Sequence, residues 1–450
     1  MSIRIKPICV ALAGLLLSAP AWAVDLVGVH DLAVKNDPRL QAAASRLEAT
    51  RENKTIAWAN LLPQLGASGT WSRGNSETDI AGGVVSSDTD IDTANYVASL
   101  RQSLYRQSNY EALDVARGQI SQAEAIYQIA YQDFLLRVAE RYFLVLTLTD
   151  GVTFAEAEEK AFQRQYEQAE QRFEVGLTAV TDVHEARATY DNARARAIVA
   201  RNDLADAKEA LRELTGQYFE EYDALQEVLP LVEPDPVNAD EWVDIAMQNN
   251  PSVLSSRAAL DTAEANMRLA RSGHFPTLDL LAGYSRFIDN KRSFRFDLEN
   301  DPVITDLENN DTQIQLQLDI PIYQGGRVSA QTRQARYLMD ATGQDLDDVQ
   351  RGVVRQTQTA YRAVIAGIQE VEAFEQAKIS AESALEATQA GFEVGTRTIV
   401  DVLIAEQRKY QAQRDNSVAR HAYIIRHLRL KSVAGLLNAE DLRVVNQLLQ

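Results

Sequence analysis

Cysteine is all but missing from this chain. Cys9 is the only one, and it lies in an apolar amino-terminal stretch. The remainder therefore holds no disulfide, thiol nucleophile or cysteine-ligated metal. Histidine is scarce: His30, His184, His274, His421 and His427. None falls in an H-E-x-x-H pattern, and the spacing of His421 and His427 keeps them off one helical face, so they read as packing or surface residues. No phosphate-binding loop, dinucleotide fingerprint or G-x-S-x-G elbow is present, and the chain reads as a non-enzyme without cofactor or metal. Basic residues are outnumbered, 45 Lys and Arg against 64 Asp and Glu, for a net charge of −19. So acidic a surface repels nucleic acid and anionic lipid. Beyond the amino terminus no apolar run is long enough for a membrane helix. Entry into a membrane would have to be made with strands.

The amino terminus has the form of a secretory signal. Arg4 and Lys6 precede an apolar run, and Ala21-Trp22-Ala23 supplies an A-x-A cleavage site. Residues 1–23 are read as the signal peptide, and the chain that remains is two positive charges poorer. It also says nearly the same thing twice. Asp31, Ala33, Asn36, Pro38 and Pro63 recur at one constant offset as Asp244, Ala246, Asn249, Pro251 and Pro276. Phe173-Glu174-Val175-Gly176 recurs as Phe392-Glu393-Val394-Gly395, Asp182-Val183 as Asp401-Val402, and Gly216 as Gly435. A repeat this long points to two copies of one large module. The expected division is 24–216 and 241–435 for the repeats, 217–240 for a proline-bearing linker, and 436–450 for a terminal segment without strong signal.

No proline occurs between Pro63 and Pro230 or after Pro321, and those tracts are rich in helix formers. Tyr127, Tyr131, Phe134, Val138, Tyr142 and Val145 recur at helical spacing. Residues 109–174 show no firm break, which predicts a helix about 100 Å long that needs partners along its length. Gly176 and Gly395 suit left-handed helix ends. Thr181-Asp182 and Thr398 offer caps to returning helices. Each repeat thus reads as a long helical hairpin.

Segments of period two lie between the helices. Gln313, Gln315, Gln317 and Asp319 alternate with Ile314, Leu316, Leu318 and Ile320, and Tyr96, Ala98 and Leu100 alternate with Val97, Ser99 and Arg101. Leu65, Ala67, Gly69 and Trp71 match Leu278, Leu280, Ala282 and Tyr284 at the repeat offset. Each repeat is expected to carry two strands of about ten residues, as an outer-membrane barrel requires. Polar, acidic loops over 74–93 and 288–310 would join them. Asp88, Asp90 and Asp92 lack the glycine and distal glutamate of a calcium loop and read as solvated acid. Trp71, Tyr96, Tyr105, Tyr284 and Tyr323 are candidates for a membrane aromatic belt. Four strands cannot close a membrane barrel, so several protomers must contribute.

At particular junctions the chain resembles a known family. Leu62-Pro63-Gln64-Leu65 and Phe275-Pro276-Thr277-Leu278 resemble the helix-to-strand junctions of TolC-type outer-membrane factors, and Pro321-Ile322-Tyr323-Gln324-Gly325-Gly326-Arg327 their strand-to-helix junction. The segments 173–183 and 391–402 resemble the two periplasmic helical turns. The resemblance covers the chain beyond the signal segment. It implies a mainly α protein with membrane β: a duplicated protomer of long helical hairpins and four strands, trimerising into a twelve-stranded barrel and a twelve-helix periplasmic barrel. It implies a passive exit duct in the outer membrane, serving an inner-membrane pump through a periplasmic adaptor for efflux or type I secretion.

The resemblance also implies site residues. Thr181 and Asp182 would face Arg397 of a neighbouring protomer as a latch, with Phe392 where the family often has tyrosine. Asp401 would ring the lumen, and Ile404 stands where a second aspartate can occur. A weaker latch and weaker block by multivalent cations are expected. Val175, Gly176 and Leu177, with Val394, Gly395 and Thr396, would receive the adaptor's hairpin tips. The competing reading is a secreted coiled-coil structural protein without a pore; matched prolines and alternating strands do not follow from it.

Overall fold

The computed structural model describes residues 24–80, 85–295 and 303–450. The expected signal segment, residues 1–23, lies outside the described residues, as do 81–84 and 296–302 of the two expected loops. Two short helices, α1 (Leu26–Asn36) and α2 (Pro38–Ala59), lead into an antiparallel pair, β1 (Gln64–Ile80) and β2 (Val85–Arg106). Then α3 (Gln107–Glu174) runs out and α4 (Val180–Thr215) returns. The order repeats as α5 (Ala239–Asn249), α6 (Pro251–Arg271), β3 (Thr277–Arg295), β4 (Val303–Asp319), α7 (Arg327–Glu393) and α8 (Ile399–Val433), and α9 (Ala439–Asn446) follows. With 68 residues, α3 is about 100 Å long at ~1.5 Å per residue. No described helix is long and apolar enough to cross a membrane.

Local chemistry sets the breaks. Proline cannot supply an amide to a continuing helix, and its ring pushes the preceding residue out of the helical region. At Asp37-Pro38 the chain therefore ends α1 and starts α2. The Asp37 carboxylate accepts from the amides of Arg39 (2.7 Å) and Leu40 (3.3 Å) and also pairs with Arg137 of α3. Asn250-Pro251 does the same for α6, with Asn250 accepting from Ser252 and Val253. Its side-chain amide donates to the Val433 carbonyl at 2.7 Å. Gly435 closes α8 against this corner at φ +77°, and a Cβ there would lie 2.3 Å from the Asn249 carbonyl oxygen, so only glycine fits.

The main core lies where these corners meet the middle of the long helices. Phe134, Val138, Tyr142 and Val145 of the predicted stripe are fully buried, and Tyr127 and Tyr131 pack beside them. Leu26 and Val29 (α1), Leu211 (α4), Leu428 (α8) and Leu442 (α9) complete it. The Tyr142 hydroxyl donates to the Val24 and Asp223 carbonyls. His421 is a packing residue, as its sequence context suggested. It is buried, bonded to the Thr147 hydroxyl, and its imidazole is pushed down to about 4 by desolvation.

Two segments are more ordered than their sequence signals. Val24 bridges Tyr222, and Leu225 bridges Leu449. Ala224 and Gln450 exchange both backbone hydrogen bonds. Helix α9 starts on a capping box of Asn438 and Asp441. Linker and carboxyl terminus thus tie together as a belt over the helices.

The strands form one antiparallel sheet in the order β1-β2-β3-β4, with β1 and β4 as its edges. The register puts Leu65, Ala67, Gly69 and Trp71 beside Leu100, Ala98, Tyr96 and Ala94. It then sets Leu100, Ala98 and Ala94 beside Ala282, Tyr284 and Ile288, and Leu280 and Ala282 beside Leu316 and Ile314. All these share one face, because directly paired residues point the same way. Leu65 is 82% and Ile314 77% exposed, so this face is uncovered among the described residues. The other face carries Ser68, Thr70, Ser99, Arg101, Ser285, Gln313, Gln315 and Gln317. Asp279 on this face is buried between Arg101 (3.0 Å) and Arg106 (2.7 Å), at the base of the sheet.

The strand lengths correct the sequence reading. The four strands have 17, 22, 19 and 17 residues, and the expected loops are largely strand. Asp90 and Asp92 sit on β2, paired with Asn75 and Arg73. The outer halves of the strands are polar on both faces, so side-chain alternation fades there while the backbone ladder continues. Tyr323 falls in the strand-to-helix junction, where the sequence put it. It lies beyond β4 in the loop to α7, while Trp71, Tyr96, Tyr105 and Tyr284 are on strands. Trp71 donates its indole N–H to Asp92 at 2.7 Å, and Tyr284 its hydroxyl to Asn310 at 3.3 Å.

Asp37 joins a cap to a buried ion pair, and its loss strands the Arg137 charge. Asp37→Ala is expected to destabilise the fold by about 3 kcal/mol. Thermal unfolding in detergent, followed by circular dichroism, measures the loss.

Candidate functional site

The candidate site is built on the two turns that join α3 to α4 and α7 to α8. At the first, Gly176 has φ +76°, which a side chain would strain. Its amide reaches the Phe173 carbonyl at 2.9 Å, and Leu177 N reaches Arg172 O at 2.8 Å. At the second, Gly395 has φ +80°, with Gly395 N on Phe392 O and Thr396 N on Gly391 O. These bonds satisfy the last carbonyls of each helix. They leave Val175, Leu177, Val394 and Thr396 exposed beside the two glycines.

The returning helices start differently. Thr398 caps α8 by the expected chemistry: its hydroxyl accepts from Asp401 N at 3.2 Å, and the Asp401 carboxylate accepts from Thr398 N and Oγ1, both at 2.9 Å. Those two bonds, first the backbone one and then the hydroxyl, hold the Asp401 carboxyl below its ordinary range, with Arg397 adding attraction. Asp401 is therefore ionised throughout the neutral range. Thr181 does not cap α4, contrary to the sequence reading. The helix has already begun at Val180, its N-cap Ala179 has no side-chain bond, and the Asp182 carboxylate is held by the Thr178 hydroxyl instead.

Within the protomer Thr181, Asp182 and Arg397 are not brought together. Arg397 is exposed, folds over Gly391 and has no ion-pair partner among the described residues. What the protomer does bring together is the second turn and the flank of the first hairpin. Ile399 and Leu403 of α8 pack on Phe162 and Ala169 of α3 and Ala186 and Ala193 of α4. Phe392 and Val400 lie against the same cluster, with Tyr166, Val183 and Tyr190. The Arg172 guanidinium sits 4.8 Å from the centre of the Phe392 ring. A cation over an aromatic face contributes about 1 kcal/mol. So Phe392, lacking a hydroxyl, still fastens the second hairpin to the first.

Higher on the hairpins is a group that sequence reasoning missed. Glu158 of α3 is fully buried and takes Arg196 of α4 at 2.9 Å and Arg414 of α8 at 3.0 Å. One carboxylate thus ties three helices, with both oxygens engaged. The signal was present, since Glu158 occupies the apolar stripe Ala155, Phe162, Ala169 at helical spacing. A charge on a buried stripe needs a partner from a neighbouring helix.

The cap at the second turn is open to direct test. Thr398→Ala removes the hydroxyl from both of its bonds and should cost about 1 kcal/mol. Hydrogen exchange of the first-turn amides of α8 should speed up several-fold, while the α4 amides stay unchanged.

Comparison with known proteins identifies the family and the fold. The outer membrane efflux protein family matches residues 29–217 and 242–436. The outer membrane protein TolC of Vibrio cholerae is 37% identical over 443 residues, 98% of each chain. The alkaline protease secretion protein AprF of Pseudomonas aeruginosa is 31% identical over 443 residues, 96% of this chain and 88% of that one. Among solved structures, the outer membrane protein VceC of Vibrio cholerae superposes with a TM-score of 0.73 at 19% identity, covering 91% of this chain and 96% of the other, a likeness of fold. The chain belongs to the outer membrane efflux protein family, whose members are outer-membrane transport channels.

Proposed function

We propose that three copies of this chain assemble into one duct across the outer membrane and into the periplasm. The observation that carries the reading is the four-stranded sheet, with an uncovered apolar face, a polar face and two open edges. In lipid an open edge leaves backbone groups without partners, each at a cost of several kcal/mol. The edge β4 of one copy can meet β1 of the next until the ring closes. Three copies give twelve strands, an even number within the range of such barrels. The polar face then lines the water-filled interior, and Trp71, Tyr96, Tyr105 and Tyr284 stand on the lipid side, with Tyr323 below them. Trp71 and Tyr284 combine an apolar body with a hydrogen-bonded tip, as residues at a lipid–water boundary need.

The same ring gathers twelve long helices into a periplasmic tube that narrows at the turns. Asp401 from each copy sets a ring of fixed negative charge, favouring cations and binding multivalent ones. Arg397, without an ion-pair partner among the described residues of its own protomer, reaches Thr181 and Asp182 of a neighbour and holds the end closed. An Arg–carboxylate contact is directional, which suits a latch. The exposed Val-Gly turns receive a periplasmic adaptor that links the duct to an inner-membrane pump. The likeness to both TolC and AprF is compatible with small-molecule efflux and with protein secretion.

Arg397→Ser should raise single-channel conductance in planar bilayers; unchanged conductance removes Arg397 from the latch. Asp401→Asn should abolish block by a trivalent cation added on the periplasmic side. Block that persists places the constriction elsewhere. Gly395→Trp, or the same change at Gly176, should impair export in cells while the assembled protein remains in the outer membrane.

A further inference from the structure

Glu406 is the second carboxylate in an apolar stripe, in line with Ile399, Leu403 and Tyr410 on α8. It is 6% exposed, and its Oε2 has no hydrogen-bond partner among the described residues. Glu158, by contrast, is satisfied by two arginines. Glu406 lies along α8 between the turn cluster and the Glu158 tie. Its burial depends on α8 resting against the first hairpin.

We propose that Glu406 is a proton-sensitive wedge between the two hairpins, which loosens the seat of α8 when ionised and lets it close when protonated. An ionised carboxylate buried without full solvation is costly, and the cost is relieved if the helix moves away and water enters. A protonated carboxyl removes most of that cost and can donate a hydrogen bond. The charged groups around it are mixed. From α3 come Glu158, which repels, and Arg164, which attracts; Lys409 on α8 itself also attracts. Arg196 of α4 and Arg414 of α8 are engaged by Glu158. On α7, Glu382 and Glu375 meet α8 further along, at Gln413 and Asn416. Gln165 and the Tyr410 ring are its polar neighbours. Desolvation outweighs Lys409 and Arg164, so the carboxyl titrates above its ordinary range when α8 is seated.

The sign follows from linkage. The seated state holds the proton more tightly than a state in which Glu406 meets water, so acid favours seating and rising pH favours release. A difference of one pKa unit changes the seating equilibrium about tenfold. The consequence for conduction rests on the reading above, in which opening requires α8 to leave the first hairpin.

The experiment uses a full-length chain lacking Cys9 and carrying Val400→Cys, a half-buried site in the turn cluster. Maleimide labelling reads whether α8 is seated, and bilayer conductance of the same protein reads whether the duct is open. With Glu406 in place, labelling should slow several-fold as the medium is taken from about pH 8 to about pH 5, after correction for intrinsic thiol reactivity. In Glu406→Gln, labelling should be slow at both extremes. Glu406→Met should be equally flat, which separates loss of the titrating group from a folding defect. Should Glu406→Gln follow the same pH curve as its parent, the wedge is wrong. Labelling that obeys the prediction while conductance ignores pH keeps the wedge and overturns the link between α8 release and opening.

Discussion

A β-sheet edge in lipid has no water to fall back on. Every amide and carbonyl along it must find a backbone partner, and the described residues form four strands, with the outer edges of β1 and β4 open. The rest of the architecture follows from that constraint. In the proposed assembly closure comes from other copies. The copies then meet around a polar interior, because the other face is apolar and exposed among the described residues. The strands then fix the spacing at which the long helices start. Helices of such length hold their shape only where another helix packs against them, and the protomer provides this by packing α4, α2 and α6 along α3, and α8 and α6 along α7.

Internal duplication makes the arrangement economical in its joints. Asp37-Pro38 and Asn250-Pro251 cap two equivalent corners, and Gly216 and Gly435 end two equivalent helices. The halves diverge at the turns. The first turn holds Asp182 on Thr178, and the second locks Asp401 on Thr398 in a reciprocal cap. The second is also the one that packs on its neighbour, through Ile399, Leu403 and Phe392. Equivalent modules therefore pack unequally: the turn of the second hairpin rests on the flank of the first.

Much of this was legible in the residues. The stripe from Tyr127 to Val145 predicted a helix whose core side is the side seen, and residues 109–174 lie within the observed α3. The alternation around Gln313–Leu318 gave the correct faces of β4. Strand length was hidden, because beyond Trp71 and before Ala94 both faces are polar and period two loses contrast. The terminal belt was hidden too. Leu225 and Leu449 find each other across about half the chain, and neither segment has a pattern of its own. Of the turn residues, Thr398 and the two glycines could be placed from local rules. Thr181 is not the cap because the helix starts two residues earlier, with Ala179 at its N-cap, a shift that local sequence does not reveal. Glu158 was overlooked because a glutamate on a helix is ordinarily solvated, and its partners, Arg196 and Arg414, lie on other helices.

The central claim is that closure is intermolecular and threefold. The mass of the detergent-extracted assembly, corrected for bound detergent by light scattering with refractive index and absorbance, tests it most directly. The account predicts a particle of three chains. A stable particle of one chain, or of a number other than three, would contradict it.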